Sequence, residues 1–178
     1  MLLHMRIRIL SLIATILSLG VSVLFDRIEQ ELLKDIFIGV FTGAILTYIT
    51  SFVSYRIERR NAFLGYLGAL QAYRARFDLL YKNKLTGKTE SVEQNIADLK
   101  LYFYDLHYNS YLKIEYICKN RKLPQKIDEI FELIRNVQIQ INLNHFEQLE
   151  QMKQDIDCGI CKLESVMRDL GYIDERKS

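Results

Sequence analysis

The chain has 178 residues, enough for one modest domain with an appendage. Its three cysteines, Cys118, Cys158 and Cys161, are too few and too unevenly spaced for a disulfide framework, which excludes a small disulfide-rich secreted fold and indicates a reducing compartment. The mean hydropathy is -0.01 although 26% of the residues are charged. Apolar and charged residues must therefore be segregated along the chain.

Two uncharged apolar segments lie in the N-terminal third, at residues 9–25 and 36–55. The second is long enough to cross a bilayer, and the first is at the short end of that range. A signal peptide fits less well, because the first run is long, no Ala-x-Ala site follows it and a second run comes soon after. We therefore expect a membrane-spanning helical hairpin over residues 1–55. A single span with one buried or interfacial helix, and a water-soluble core, are the alternatives.

Basic residues flank this predicted hairpin on its outer sides: Arg6 and Arg8 precede it, and Arg56, Arg59 and Arg60 follow it. The connecting residues 26–35 contain only two basic residues. By the positive-inside rule, both termini and the following domain are expected in the cytoplasm. Residues 56–88 have a net charge of +6 and residues 127–178 a net charge of -5. The three arginines after the hairpin are thus predicted to contact the anionic inner leaflet.

Each apolar segment carries a line of small and hydroxyl residues on one helix face. The line in the first segment comprises Ser11, Thr15, Ser18 and Ser22, and the line in the second comprises Gly39, Gly43, Thr47, Thr50 and Ser54. Small residues at four-residue spacing let helices approach closely in lipid. Two interpretations stay open: the lines pack against each other, or one of them lines a wet path at the axis of an oligomer.

Residues 56–178 predict an all-α bundle of about four helices, because apolar residues recur with a helical period and no segment alternates long enough for a strand. Ser91 opens a capping box, Pro124 suits a first helical turn, and Gly159 and Gly171 are expected breaks. The expected helices cover 56 to about 83, 91 to about 120, 124 to about 156, and 160–170.

Candidate chemical groups in the bundle are isolated. The pair Cys158 and Cys161 lacks enough further ligands for zinc, and His107 and His145 have no nucleophile and acid at a recognisable spacing. No glycine-rich phosphate loop occurs. The tyrosine-rich stretch 102–116 could stack on nucleic-acid bases, but tyrosines at helical spacing more often pack in bundles or at subunit contacts. We expect no catalysis, metal or cofactor.

The layout, with N-terminal membrane helices and a cytosolic α-bundle, resembles the small accessory membrane proteins encoded beside type VI-B CRISPR effectors. That resemblance implies a divergent HEPN-like helical domain and a place in bacterial antiphage defence at the inner membrane. HEPN nucleases carry an arginine and a histidine five positions apart on one helix; here Gln140 stands in the arginine position before Asn142 and His145. The resemblance thus implies that the nuclease is lost and the scaffold kept.

The resulting hypothesis is a non-enzymatic protein that forms homo-oligomers and either forms or gates a pore that depolarises the membrane. The resemblance also implies that an RNA-guided effector or its RNA products could be partners. One alternative is a membrane-anchored helical adaptor that binds a protein or RNA partner without a pore. Another is a membrane-tethered ribonuclease dependent on His145.

Overall fold

The computed structural model describes residues 2–26, 31–87, 89–118 and 124–173, and the regular structure in these ranges is entirely helical. The α-helices are α1 (Leu2–Asp26), α2 (Glu31–Leu85), α3 (Thr89–Asp105), α4 (Leu112–Cys118), α5 (Pro124–Asn142) and α6 (Leu149–Asp169). A π-helical segment (Leu106–Tyr111) joins α3 to α4, and a 3₁₀ turn (Phe146–Gln148) precedes α6. The predicted all-α class is confirmed.

The chain divides into two compact units, Met1–Arg59 and Arg60–Ser178. The division falls within α2, close to the place where the composition changes from apolar to charged. The first unit contains α1 and the N-terminal part of α2, and the second contains the rest of α2 and all later helices. We describe the second as the bundle unit and the first as the apolar unit.

The bundle unit alternates helix direction. Contacts of α2 with α6 and the turn after it pair late residues of one with early residues of the other. Tyr81 contacts Glu150 at 2.6 Å, Arg74 contacts Asp157 at 2.6 Å, and the rings of Phe63 and Tyr172 lie 5.5 Å apart. The same inverse order relates α2 to α3, where Tyr73 meets Phe103 and the later Arg76 meets the earlier Asp98. It also relates α3 and its π-helical extension to α5, where Phe103 stacks on Phe131 and the later Tyr111 donates to the earlier Asp128. In α5 and α6 the early Lys126 likewise lies 3.9 Å from the late Asp169. With α3, the π-helical segment and α4 counted as one continuous arm, the unit is therefore an up-down-up-down bundle of four helical arms.

The bundle core is centred on α2. Its fully buried residues recur at alternating intervals of three and four: Phe63, Tyr66, Leu70, Tyr73, Phe77 and Leu80. That spacing keeps one apolar line on the inner side of a helix. Because these side chains are large, each contributes on the order of 1.5–3 kcal/mol by leaving water. The bundle is therefore held by hydrophobic burial.

The helix boundaries near residues 140–160 differ from the sequence-based expectation. The chain breaks at Asn144, which has a positive φ of 59°, and α6 runs straight through Gly159. The expected break at Gly159 is wrong, because this glycine has a packing role: a Cβ there would lie 3.4 Å from Ile134 Cδ1. Glycine lets α5 and α6 approach at this level.

Two other helix ends, the start of α3 and the end of α6, can be compared with the ends that the sequence predicts. The helix expected to open at Ser91 begins two residues earlier, at Thr89, so Ser91 lies inside its first turn. Gly171 does terminate the last helix: its φ is +67°, and the Tyr172 amide donates to Met167 O at 2.8 Å. This is the left-handed glycine termination that the sequence predicts.

Candidate membrane and helix-packing surfaces

In the part of the chain that the structure describes, α2 is long and apolar enough to cross a membrane by length and composition. Only 6% of its most apolar 18-residue window is buried. The described apolar stretch of α1 is shorter, Ile9–Ser18. The apolar half of α2 therefore presents almost its whole circumference outward, unlike a core helix of a water-soluble domain.

Large apolar side chains cover the outside of the apolar unit. More than a third of each of the following side chains is exposed: Ile9, Leu10, Leu12, Ile13, Ile16, Leu17, Ile36, Ile38, Val40, Leu46, Tyr48, Ile49, Phe52, Val53 and Ile57. Contiguous apolar patches of this size are rare on proteins surrounded by water and mark contact with lipid or protein. The surface of this unit is suited to a hydrocarbon environment.

The hydroxyl line of α1 lies on a buried face. Ser18 is only 2% exposed, Ser11 is buried as well, and Thr15 is half-buried. Thr15 donates to Ser11 O at 2.8 Å, and Ser18 donates to Thr15 O at 3.1 Å. The side chain of Ser22 lies outside the described residues. The hydroxyls of Thr15 and Ser18 thus bond to carbonyl oxygens of their own helix, while the small side chains allow close packing.

The glycine and hydroxyl line of α2 lies on an exposed face. Gly39, Gly43, Thr47, Thr50 and Ser54 are all exposed, and a Cβ added at either glycine would meet nothing within 4 Å. Thr47 donates to Gly43 O at 2.8 Å, so its hydroxyl needs no outside partner. Within the single chain, the two predicted lines therefore have opposite environments: the described part of the α1 line is buried or half-buried, and the α2 line is exposed.

Two other small residues of α2, outside the glycine line, are buried in the apolar unit. Ala44 and Ser51, seven residues apart, are buried there, matching the seven-residue interval from Ser11 to Ser18 on α1. A common seven-residue repeat of small buried residues is typical of two helices packed side by side. This pair is hard to recognise from the sequence, because the longer G-x-x-x-G line is the more conspicuous pattern of small residues.

The three arginines after the apolar segment are not equivalent. Arg56 and Arg60 are exposed, as leaflet-facing residues would be, whereas Arg59 is 8% exposed. Its Nε has no hydrogen-bond partner among the described residues. The three arginines lie within an arc of about 100° around the helix, and Arg59, at one edge of that arc, is the one that is covered.

The positions predicted to be HEPN-like lie around the C-terminal end of α5. Gln140 Oε1 lies 2.8 Å from His145 Nδ1, and the His145 amide donates to Gln140 O at 3.0 Å. Asn142 accepts from Gln138, which in turn accepts from the buried Tyr73 hydroxyl at 3.0 Å. These contacts terminate the helix and tie its end to the bundle.

The remaining candidates have ordinary environments. His107 stacks on Phe131 at 4.9 Å and belongs to the aromatic packing between the π-helical segment and α5. Cys158 and Cys161 are exposed and Cys118 is buried, and no group of three or more potential metal ligands exists among the described residues. A small groove between α5 and α6 is lined by both signs of charge, including Lys126, Glu129 and Lys162.

Several tyrosines of the bundle unit have pKa values raised by burial. Burial raises the pKa of Tyr66 well above its ordinary value, with the nearby Tyr111 and Asp128 adding to the effect. Burial likewise raises the pKa of Tyr73. For Tyr111, burial and its 2.8 Å hydrogen bond to Asp128 both raise the pKa. These phenols stay protonated in the folded bundle.

No protein-family model matches this chain, and neither a curated protein nor a solved structure does. The resemblance to CRISPR accessory membrane proteins stays a prediction.

Proposed function

We propose that this protein inserts α1 and the apolar half of α2 into a membrane as a hairpin, and that its copies associate there into a pore that depolarises the membrane. The observation that carries the proposal is the exposed line of Gly39, Gly43, Thr47, Thr50 and Ser54. The α1 line is already covered within one chain, so the α2 line is the small-residue surface left for another copy.

The chemistry of this face suits both packing and hydration. Glycines let two helix backbones approach where lipid gives no hydrophobic drive for association. Threonine hydroxyls that bond to their own helix, as Thr47 does, can turn to water when a wet path opens. In the proposed oligomer the α2 face therefore lies at the contact or on the axis.

The proposed topology keeps both termini and the bundle in the cytoplasm, because the basic residues lie outside the apolar segments. Arg56 and Arg60 would then meet the anionic lipid headgroups, each interaction contributing on the order of 1 kcal/mol. We place the protein in the bacterial inner membrane and in antiphage defence, as the resemblance to CRISPR accessory proteins implies.

A matched pair of variants tests the α2 face. Thr47→Leu and Thr42→Leu make the same change on one helix, and both threonines are exposed and bonded to their own i-4 carbonyl. Only Thr47 lies on the glycine line. We expect Thr47→Leu to reduce both detergent-resistant oligomers and dye-reported depolarisation, and Thr42→Leu to preserve them. Equal behaviour of the two variants, or a monomeric wild type that leaves the potential unchanged, would sink the proposal.

Replacing the hairpin by an unrelated membrane anchor separates the pore from the adaptor alternative. An adaptor keeps its activity on the new anchor, because only the bundle contacts the partner. A pore loses it. The depolarisation assay should be run with and without the associated effector and phage, since the trigger is part of the hypothesis.

A further inference from the structure

The outer side of α3, the π-helical segment and α4 carries a second apolar line, separate from the bundle core. It comprises Leu101, Tyr104, Tyr108, Leu112 and Tyr116, which are between 37% and 68% exposed. The core-facing line of the same helices consists of other residues, among them Leu99, Leu106 and Ile114, which are buried. We call the exposed line the tyrosine seam; its residues are not needed to fill the core.

The π-helical segment keeps the seam straight. In an α-helix each four-residue step turns about 400°, so three such steps from Tyr104 to Tyr116 would drift about 120° around the axis. A π-helix closes its hydrogen bonds over five residues and turns less per residue. The segment Leu106–Tyr111 lies in the middle of these steps and removes much of the drift. The rings of Tyr104 and Tyr108 consequently lie 4.2 Å apart along the line.

The spacing of the seam is that of a helix-pairing surface. Leu101, Tyr104 and Tyr108 follow the three-then-four intervals of apolar positions in a coiled coil. Leu112 comes one residue later than the strict repeat would place it, and the π-helical segment absorbs that extra residue. The seam therefore offers about four turns of continuous apolar contact to a second helix.

Charged residues beside the seam indicate that the partner helix is the same helix of a second copy. Lys100 directly precedes the first seam residue and Asp105 directly follows the second, so they lie on opposite flanks, and both are exposed. In a parallel helix pair, residues on these two flanks and five positions apart meet across the contact. Lys100 of one copy would then meet Asp105 of the other, twice by symmetry. A second copy of this chain supplies the complementary charges.

We propose that the tyrosine seam pairs two copies of this chain, with their α3–α4 helices running parallel. The association of two copies rests on the proposed function, which places them in one membrane. The parallel direction follows from the charge register, because Lys100 and Asp105 lie on opposite flanks and meet across the contact when the two helices run parallel. From Leu101 to Tyr116 the seam is only about 22 Å long. Anchoring in the membrane raises the effective concentration that such a short contact requires.

Cysteine cross-linking tests the pairing in the full-length chain in membranes. With Cys158→Ser and Cys161→Ser removing the exposed thiols, Tyr104→Cys, Tyr108→Cys and Tyr116→Cys are made one at a time and oxidised. A parallel pair places each seam residue opposite its own copy, so all three give disulfide-linked dimers. Ile139→Cys, also exposed but on α5, is the background control.

The pattern of dimers decides the outcome. Dimers at all three positions above the control support the parallel seam. Dimers at Tyr108→Cys alone indicate an antiparallel contact centred there, and they overturn the proposal. Cross-linking no stronger than at Ile139→Cys overturns it as well.

A charge exchange separates pairing from a structural defect. In the Tyr104→Cys background, Lys100→Glu faces Asp105 of the partner copy with a like charge, and we expect cross-linking to fall by about threefold to tenfold. Adding Asp105→Lys restores the opposite charges and should restore the dimer. Failure of this rescue counts against the flank pairing.

The same samples keep this inference distinct from the proposed function. Seam dimers in a protein that leaves the membrane potential unchanged would retain the pairing and remove the pore. Depolarisation by a protein whose seam positions never cross-link would retain the pore and contradict the seam pairing.

Discussion

The two units of this chain are both helical, yet they bury opposite kinds of residue. The bundle unit buries Phe63, Tyr66, Tyr73 and Phe77 and keeps most charges outside, whereas the apolar unit buries small residues such as Ser18 and leaves its large aliphatic side chains bare. In water, large apolar groups move inward because burial frees them from the solvent. In lipid that drive is absent, and close packing of small residues takes its place. The difference fits the proposed membrane insertion, with lipid around the apolar unit and water around the bundle unit.

The largest expected effect is a cavity in the bundle core. Phe77 is fully buried, so Phe77→Ala should lower the free energy of unfolding of the bundle by about 3–5 kcal/mol. Leu79→Ala, two residues away on the same helix, truncates a side chain that is 45% exposed and should have a much smaller effect. Chemical denaturation in detergent, followed by circular dichroism, measures both. Similar losses for the two variants would mean that α2 is not buried on one side only.

A charge in the apolar unit should act on membrane insertion. Leu46 is exposed near the middle of the apolar segment, where a lysine disfavours insertion by about 2.5–3.5 kcal/mol. Leu46→Lys is therefore expected to lower the fraction that floats with membranes and resists alkaline extraction. Leu85→Lys makes the same change at the other end of α2, in the bundle unit, and should leave that fraction unchanged. If the two variants changed the membrane-bound fraction equally, the two units would not differ in their contact with lipid.

Alkaline pH should weaken the bundle through its buried tyrosines. The pKa values of Tyr66 and Tyr73 are raised in the fold above the unfolded value of about 10. As the pH rises, the unfolded chain therefore releases these phenolic protons first. The two tyrosines contribute fully to the free energy of unfolding below about pH 10, and this contribution is lost as the pH rises further. Each fully titrating tyrosine adds a slope of about 1.4 kcal/mol per pH unit.

Urea midpoints between pH 9 and 11.5 measure this dependence. Tyr73→Phe should flatten the slope, although it also removes the hydrogen bond to Gln138, and Tyr66→Phe should flatten it in the same way. A slope that neither variant changes would show that other groups control alkaline unfolding.

The sequence was sufficient for the all-α class and for the end of α6, because these depend on local signals: helical periodicity and a glycine with positive φ at 171. It failed where tertiary contact decides. Gly159 reads as a helix breaker, but the approach of Ile134 makes it a packing residue. The small-residue lines illustrate the same limit. Spacing placed each on one helix face, but which face is covered depends on the other helix, and so Ala44 and Ser51 went unnoticed.

The smallest expected effects come from glycines with open space around them. A Cβ at Gly65 meets nothing within 4 Å, so Gly65→Ala in the bundle unit should stabilise the fold by about 0.5–1 kcal/mol through helix propensity alone. Gly43 has equally open surroundings within one chain. If its face contacts another copy in lipid, Gly43→Ala should instead weaken oligomers in a detergent-dilution assay. A Gly43→Ala variant with unchanged association would show that the α2 glycine line is not a contact, because an added methyl cannot be accommodated at a close helix crossing without separating the backbones.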